Sequence, residues 1–135
     1  MQVKGAEFGT TTGRKRDCGW LDLVALRYAV KINGATEIAL TKLDVLAGMK
    51  VVKMATAYRL PNGEEMPSFP EDTSILADVE PVYREFLGWA EGNGGTKWED
   101  LPVAARNYVM EIEKHAGVPV KLVSIGAERS NTIVR

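Results

Sequence analysis

Cysteine and histidine are almost missing from this 135-residue chain, which holds one of each, Cys18 and His115. A lone thiol cannot close an internal disulfide, so a stapled secreted scaffold is excluded and a reducing cytoplasm is expected. No apolar run reaches the length that crosses a bilayer, so no membrane partner is expected. The opening Met1-Gln2-Val3-Lys4-Gly5 has a charge but no apolar stretch after it, unlike a secretory leader. Charge of one sign is also lacking. Seventeen Lys and Arg against eighteen Asp and Glu leave a net charge of −1, without the basic excess of a nucleic-acid-binding surface. Internal repeats and low-complexity segments are absent as well.

What remains is a globular profile, 45% apolar and 26% charged, sized for a single domain over 1–135. Residues 1–8 read as an extended lead-in. A helix is expected from about Trp20, with Asp22 at its positive end and Leu21, Val24, Ala25, Tyr28 and Ile32 on its buried face. Asn33-Gly34 stops it. Glu37 to Thr41 is an apolar run suited to a buried strand, and helix followed by strand is a unit of α/β architecture. Val51 to Leu60, the Pro61-Asn62-Gly63 turn and Glu64 to Met66 read as a β-hairpin. Between Pro67 and Asp100 the pattern fades into loop, with short elements near Val82 to Trp89 and a glycine-rich stretch at Gly92-Asn93-Gly94-Gly95. A last helix starts near Pro102, carries Val103, Tyr108, Val109 and Ile112 as its stripe, and closes at His115-Ala116-Gly117 before Pro119. Val120 to Ser124 follows as a strand, and Ile125-Gly126 leaves it. The fold class is therefore α/β, a partial sheet with flanking helices and a hairpin.

Three segments carry chemistry. Gly9-Thr10-Thr11-Thr12-Gly13-Arg14-Lys15-Arg16 is a glycine-hinged loop rich in hydroxyls and ending in cations. It is not a Walker A loop, which spaces its glycines by four residues and follows them with Lys and Ser or Thr. Its backbone N–H groups and hydroxyls still suit a carboxylate or phosphate. Arg14 and Arg16, two apart on an extended loop, would share a side and offer planar forks to a carboxylate. An exposed, mobile surface loop would read the same way from spacing alone.

Thr41-Lys42-Leu43-Asp44 resembles the Asn-Lys-x-Asp element of G-proteins, with Thr for Asn. An ionised Asp44 accepts from guanine N1–H and its 2-amine, whereas adenine offers neither donor there. Sites built on such bonds discriminate by roughly 10⁴-fold. Its place at the carboxyl end of a buried strand is where open α/β sheets bind ligands; a strand ending in a solvated Asp is the plainer alternative. Ser124-Ile125-Gly126 ends the last strand and would line the same crevice, with Gly126 allowing close backbone approach. Three other residue types read as structural. His115 suits a helix C-terminus, Cys18 suits a small buried thiol, and Trp20, Trp89 and Trp98 suit core or interface anchors.

These residues carry a resemblance. Glu7-Phe8-Gly9-Thr10-Thr11-Thr12-Gly13-Arg14-Lys15-Arg16 with Cys18-Gly19-Trp20-Leu21-Asp22 resembles the signature of the adenylosuccinate synthetase family. Ala39 to Leu46, Pro81-Val82-Tyr83, and Ile112-Glu113 with Gly117-Val118-Pro119 are similar in order and spacing, so the resemblance covers nearly the whole chain. It implies the carboxy-terminal portion of a P-loop-like fold and an enzyme that joins IMP to L-aspartate using GTP and Mg²⁺. By the same resemblance, Thr10, Thr11, Thr12, Gly13, Arg14, Lys15 and Arg16 form the aspartate loop, with Arg14 also reaching IMP and Arg16 the GTP side. Lys42, Leu43 and Asp44, with Ser124, Ile125 and Gly126, then form the guanine pocket.

Two departures stand out. Gly126-Ala127-Glu128-Arg129 replaces the family's usual Gly-Pro-Asp-Arg, and Lys15 stands where proline or arginine is common. Nothing here matches the family's phosphate loop, its general-base aspartate or its catalytic histidine. The chain thus reads as the last third of such an enzyme, holding no catalytic residue and no metal ligand, inactive alone, and homodimeric only when complete. A non-catalytic guanine-nucleotide-binding module is the alternative, with a protein-interaction domain as a third reading.

Overall fold

In the computed structural model, the described residues are 1–92 and 95–135; Asn93 and Gly94, in the expected glycine-rich loop, lie outside them. Two short sheets and two helices share one apolar core. The elements run β1 (Leu21–Asp22), α1 (Leu23–Asn33), β2 (Ile38–Leu40), β3 (Val51–Arg59), β4 (Glu65–Met66), β5 (Glu80–Leu87), α2 (Val103–Ala116), β6 (Val120–Ser124) and β7 (Thr132–Val134). The expected α/β class holds.

β3 is the backbone of the first sheet. β5 pairs antiparallel along it from Val51↔Leu87 to Arg59↔Glu80, while β1 lies parallel at Met54 and Ala55, and β4 antiparallel at Tyr58 and Arg59. Thr56 is skipped in the β3–β5 register, a bulge that kinks the ladder. The second sheet has β6 at its centre, parallel to β2 and antiparallel to β7. Leu23, Val52, Met54, Val109, Ile112, Val123 and Ile133 belong to one buried cluster, so the helices and both sheets close on a common interior.

Several expectations change. α1 starts at Leu23, because Asp22 is its N-cap, accepting from Val24 N and Ala25 N at 2.9 Å each, and Leu21 joins β1 instead. Its buried residues are Leu23 and Val24, while Tyr28 (42% exposed) and Ile32 (61%) face outward. Apolar residues surround this helix on more than one side, so periodicity alone picks the wrong stripe. Tyr28 is nonetheless covered on one side by Phe69, ring centroids 4.4 Å apart. Gly34 ends α1 in the left-handed region, as its sequence predicts.

The segment read as mostly loop contains β5, a full-length partner of β3. Its burial lacks alternation, with only Val82 and Phe86 partly covered, so it gives no period-2 signal. β7 was likewise not anticipated. α2 begins just after Pro102 and ends at Gly117 (φ +75), with Ala105, Tyr108, Val109, Ile112 and Ala116 buried and Val103 exposed. His115 pairs with Glu111 at 3.2 Å in the last turn. Cys18 is exposed, contrary to the buried thiol expected, because it sits in the irregular segment before β1, outside the core. The lead-in 1–8 is a set of tight turns rather than an extended arm, with Gly5 N bonded to Met1 O at 2.8 Å. Among the described residues, no helix is long and apolar enough to cross a membrane.

Candidate functional site

The 9–16 loop is a small hairpin. Gly9 N donates to Arg14 O at 2.7 Å, Gly13 N to Gly9 O at 2.8 Å, and Phe8 bridges Lys15 in antiparallel fashion. Gly13 makes the reversal at φ +63, a conformation that costs a residue with a Cβ (on the order of 1 kcal/mol). Thr10, Thr11, Thr12, Gly13, Arg14 and Lys15 are all exposed at the tip. Arg16 is exposed as well, but its backbone N rejoins the preceding turn, donating to Glu7 O at 3.0 Å.

Thr41 to Asp44 leaves β2 through a backbone feature that sequence does not advertise. Lys42 adopts φ +61, left-handed for a non-glycine residue, and Leu43–Leu46 then forms a 3₁₀ turn. Such strained positions cluster at ligand sites and cost about 1–3 kcal/mol. The reversal sends Lys42 and Asp44 to different sides of Leu43, which is buried.

Each side opens into a cavity, and Leu43 lines both. One, about 340 Å³, has Asp44 and Ala47 on one wall, Trp89 and Ala90 on another, and Ile125 with Asn131 on a third. Asp100 adds a second carboxylate at its rim. The other, about 360 Å³, holds Arg16 and Lys42 with Asp17, Cys18, Trp20 and Tyr108. Both volumes suit a small organic ligand. Of the three C-terminal residues, Ile125 reaches the first cavity. Ser124 Oγ donates to Gly126 O at 2.8 Å, and Gly126 lies against Asn131, whose Nδ2 a Cβ would meet at 2.5 Å. Arg14 lines neither cavity.

Glu7 joins the second cavity's cations. Its Oε1 accepts from Lys42 Nζ, and its Oε2 faces Arg16 Nη1 at 3.5 Å. Lys42 Nζ also donates to Gly5 O at 2.9 Å. The Lys42 ammonium holds the Glu7 carboxyl below its ordinary value against the opposing effect of burial, with Arg16 adding a weaker pull in the same direction as Lys42. Glu7 was not among the candidate site residues. Its partner lies 35 positions away, so no local spacing reveals it.

Behind the loop, Asp22 anchors the start of α1 and accepts the Tyr58 hydroxyl at 2.6 Å. Burial first, then the Asp22 carboxylate, push the Tyr58 hydroxyl well above its ordinary value. Tyr108, buried below the second cavity, is pushed up to about 12 by loss of solvent.

The sequence pattern of the adenylosuccinate synthetase family matches residues 1–133. The adenylosuccinate synthetase of Coccidioides posadasii is 53% identical over 136 aligned positions, all of this chain and 32% of its own length. That of Oleidesulfovibrio alaskensis is 52% identical, again over all of this chain and 32% of its own. The solved structure of fully ligated adenylosuccinate synthetase from Plasmodium falciparum superposes with a TM-score of 0.89 at 38% identity, covering 98% of this chain and 32% of that one. The chain thus spans about a third of the length of the curated relatives it matches.

Proposed function

Because the chain belongs to the adenylosuccinate synthetase family, we propose that it supplies the aspartate- and guanine-binding elements of a GTP-dependent ligase joining IMP to L-aspartate. The products are adenylosuccinate, GDP and phosphate, and the place of the reaction is AMP synthesis in the cytoplasm. The observation that carries this reading is the pair of cavities divided by Leu43, one with the Asp44 carboxylate and the other with the cations of Arg16 and Lys42.

The chemistry of each part follows from its groups. Asp44 beside Trp89 and Ile125 accepts from the two N–H donors of a guanine edge, while the apolar wall covers the ring. The loop 9–16 grips L-aspartate through Thr10, Thr11, Thr12 and the Gly13 backbone, with Arg14 and Arg16 as charged donors and Lys15 adding field. Arg14, free of both cavities and exposed, reaches toward IMP. Arginine suits this task because its planar fork meets a carboxylate with two parallel bonds. Arg16 faces the GTP side as well, a reading that its link to Lys42 through Glu7 supports. Ser124 and Gly126 shape the turn that presents Ile125.

The reaction needs more than this. Phosphoryl transfer depends on positioned charge and a base, and none of the candidate residues here is assigned such a role. Mg²⁺ would serve the complete enzyme by neutralising phosphate charge. Among the described residues, no group of three or more His, Cys, Asp or Glu side chains is arranged to hold it. The remaining two thirds of the family length supply the phosphate site, and the complete enzyme is a homodimer.

The test is an assay of the purified 135-residue protein, free of host enzyme, with IMP, L-aspartate, GTP and Mg²⁺. The expected result is no adenylosuccinate, and turnover at an ordinary enzymatic rate contradicts the proposal. Titration with GTP and ATP completes it. Tight, guanine-selective binding by this chain alone would instead favour a self-sufficient nucleotide-binding module.

A further inference from the structure

We propose that Glu7 is a positioning residue that couples the two ligand subsites, setting Arg16 of the aspartate loop against Lys42 of the guanine segment. This inference rests on the subsite reading given under the proposed function.

The carboxylate is divided between the two cations. One oxygen accepts from Lys42 Nζ, and the other stands 3.5 Å from Arg16 Nη1. Both residues are also tied to the backbone around Glu7, Lys42 through its ammonium and Arg16 through its own backbone amide. Lys42 Nζ donates to Gly5 O at 2.9 Å, and Arg16 N donates to Glu7 O at 3.0 Å. Gln2 closes the unit by donating from Nε2 to Arg16 O at 2.7 Å. The turn that carries Glu7 thus bridges the loop and the purine segment, with Gly5 buried so that a Cβ there would lie 3.1 Å from Met1 O and in ordinary contact with Val45 Cγ1.

The conformational strain is found on these same two segments. Among the described residues, the non-glycine positions with positive φ are Ala6 (φ +50) and Lys42 (φ +61), one beside Glu7 and the other its partner. Strained backbone persists where surrounding contacts over-determine it. At Lys42 those contacts include the bonds of its ammonium to Glu7 and Gly5.

Glu7 orients Arg16 without using it up. A guanidinium has five N–H donors, and a single long contact to Glu7 leaves the others for a ligand carboxylate. Lys42 is different, because its ammonium is bonded to Glu7 and Gly5, and its backbone is joined to Asp44 through the buried Leu43. A ligand that fixes the Asp44 turn in one cavity therefore fixes Lys42 and Glu7 in the other, and Glu7 aims Arg16. Coupling of this kind is reciprocal for binding.

The experiment uses a full-length family enzyme carrying this segment and measures the aspartate KM at subsaturating and at saturating GTP. In the unsubstituted enzyme the aspartate KM falls by roughly fivefold or more, the low end for coupled sites. In Glu7→Gln, which keeps the size and removes the charge, the fall shrinks to less than about twofold, the expected loss of most of that coupling. Should Glu7→Gln lose its cooperative melting transition, Glu7→Asp replaces it; one methylene shorter, it cannot span both cations and loses the same dependence. Absence of GTP dependence in the unsubstituted enzyme, or its full retention in the variant, overturns the inference. Arg16→Leu and Asp44→Asn run alongside. If they alter aspartate and guanine use while Glu7→Gln keeps the coupling, only this inference fails; if neither alters anything, the subsite reading fails first.

Discussion

Asp22 caps α1 with one carboxylate oxygen and receives the Tyr58 hydroxyl on the other at 2.6 Å, tying the end of the loop segment to the central strand β3. Asp22→Ala removes two bonds to helix N–H groups and strands a nearly buried hydroxyl. The expected destabilisation is about 1–3 kcal/mol. Calorimetric melting of the variant against the unsubstituted protein measures it, and an unchanged Tm contradicts the role.

Gly88 follows β5 where the chain turns to place Trp89 in the cavity that Asp44 lines. A Cβ there would sit 1.9 Å from Met49 O and 2.7 Å from Met49 C, and this obstacle is backbone that cannot rotate aside. Gly88→Ala therefore displaces the strand end or the Met49 turn, at a cost of roughly 1–3 kcal/mol or more. The expected readouts are a lower denaturation midpoint and altered Trp89 fluorescence. A variant as stable as the parent contradicts the packing described.

The Glu7 carboxyl titrates below its ordinary value of 4.5 because Lys42 and Arg16 favour its ionised form. A depressed folded-state pKa gives a stabilising contribution that is present above the unfolded value and lost as pH falls through the folded one. The clamp is thus expected to hold throughout neutral pH and to release only in acid, below the point at which an ordinary glutamate carboxylate is half protonated. A carboxyl-detected NMR titration of Glu7 should show a midpoint under 4.5 that climbs with added salt, since the pair is exposed. A midpoint at or above 4.5 at low salt contradicts the clamp.

Much of the scaffold was legible because its signals are local. Gly34 and Gly117 end their helices in the left-handed conformation that Gly adopts freely, and Pro61-Asn62-Gly63 turns β3 into β4 as its composition predicts. β5 was not legible, since its residues are mostly exposed and its register is imposed by β3 rather than by its own pattern. The outward Tyr28 and Ile32 show the limit of periodicity on a helix with apolar residues on several sides. Within the candidate site, the segments 9–16, 41–44 and 124–126 could be named from sequence. That Lys42 turns away from Asp44 could not, because it follows from a left-handed backbone at a lysine. Glu7 escaped for the same class of reason: its chemistry exists only across the fold.

Arg16→Leu, in a full-length family enzyme, removes a charged donor from the aspartate side while leaving the Asp44 cavity untouched. The expected loss in kcat/KM for aspartate corresponds to about 1.5–3 kcal/mol, the worth of a hydrogen bond to a charged group. Steady-state kinetics with aspartate varied and GTP saturating gives the number. An unaltered kcat/KM for aspartate removes Arg16 from the aspartate site.

The base choice of Asp44→Asn tests the central claim most directly. The amide replaces an acceptor with a donor where the carboxylate meets the 2-amine of guanine, and it suits the 2-oxygen of xanthine instead. In a full-length family enzyme, kcat/KM should fall for GTP and rise for xanthosine triphosphate, reversing the preference between them. A variant that still prefers GTP to the same degree as the parent would show that Asp44 does not read the base, and the two-cavity account would be wrong.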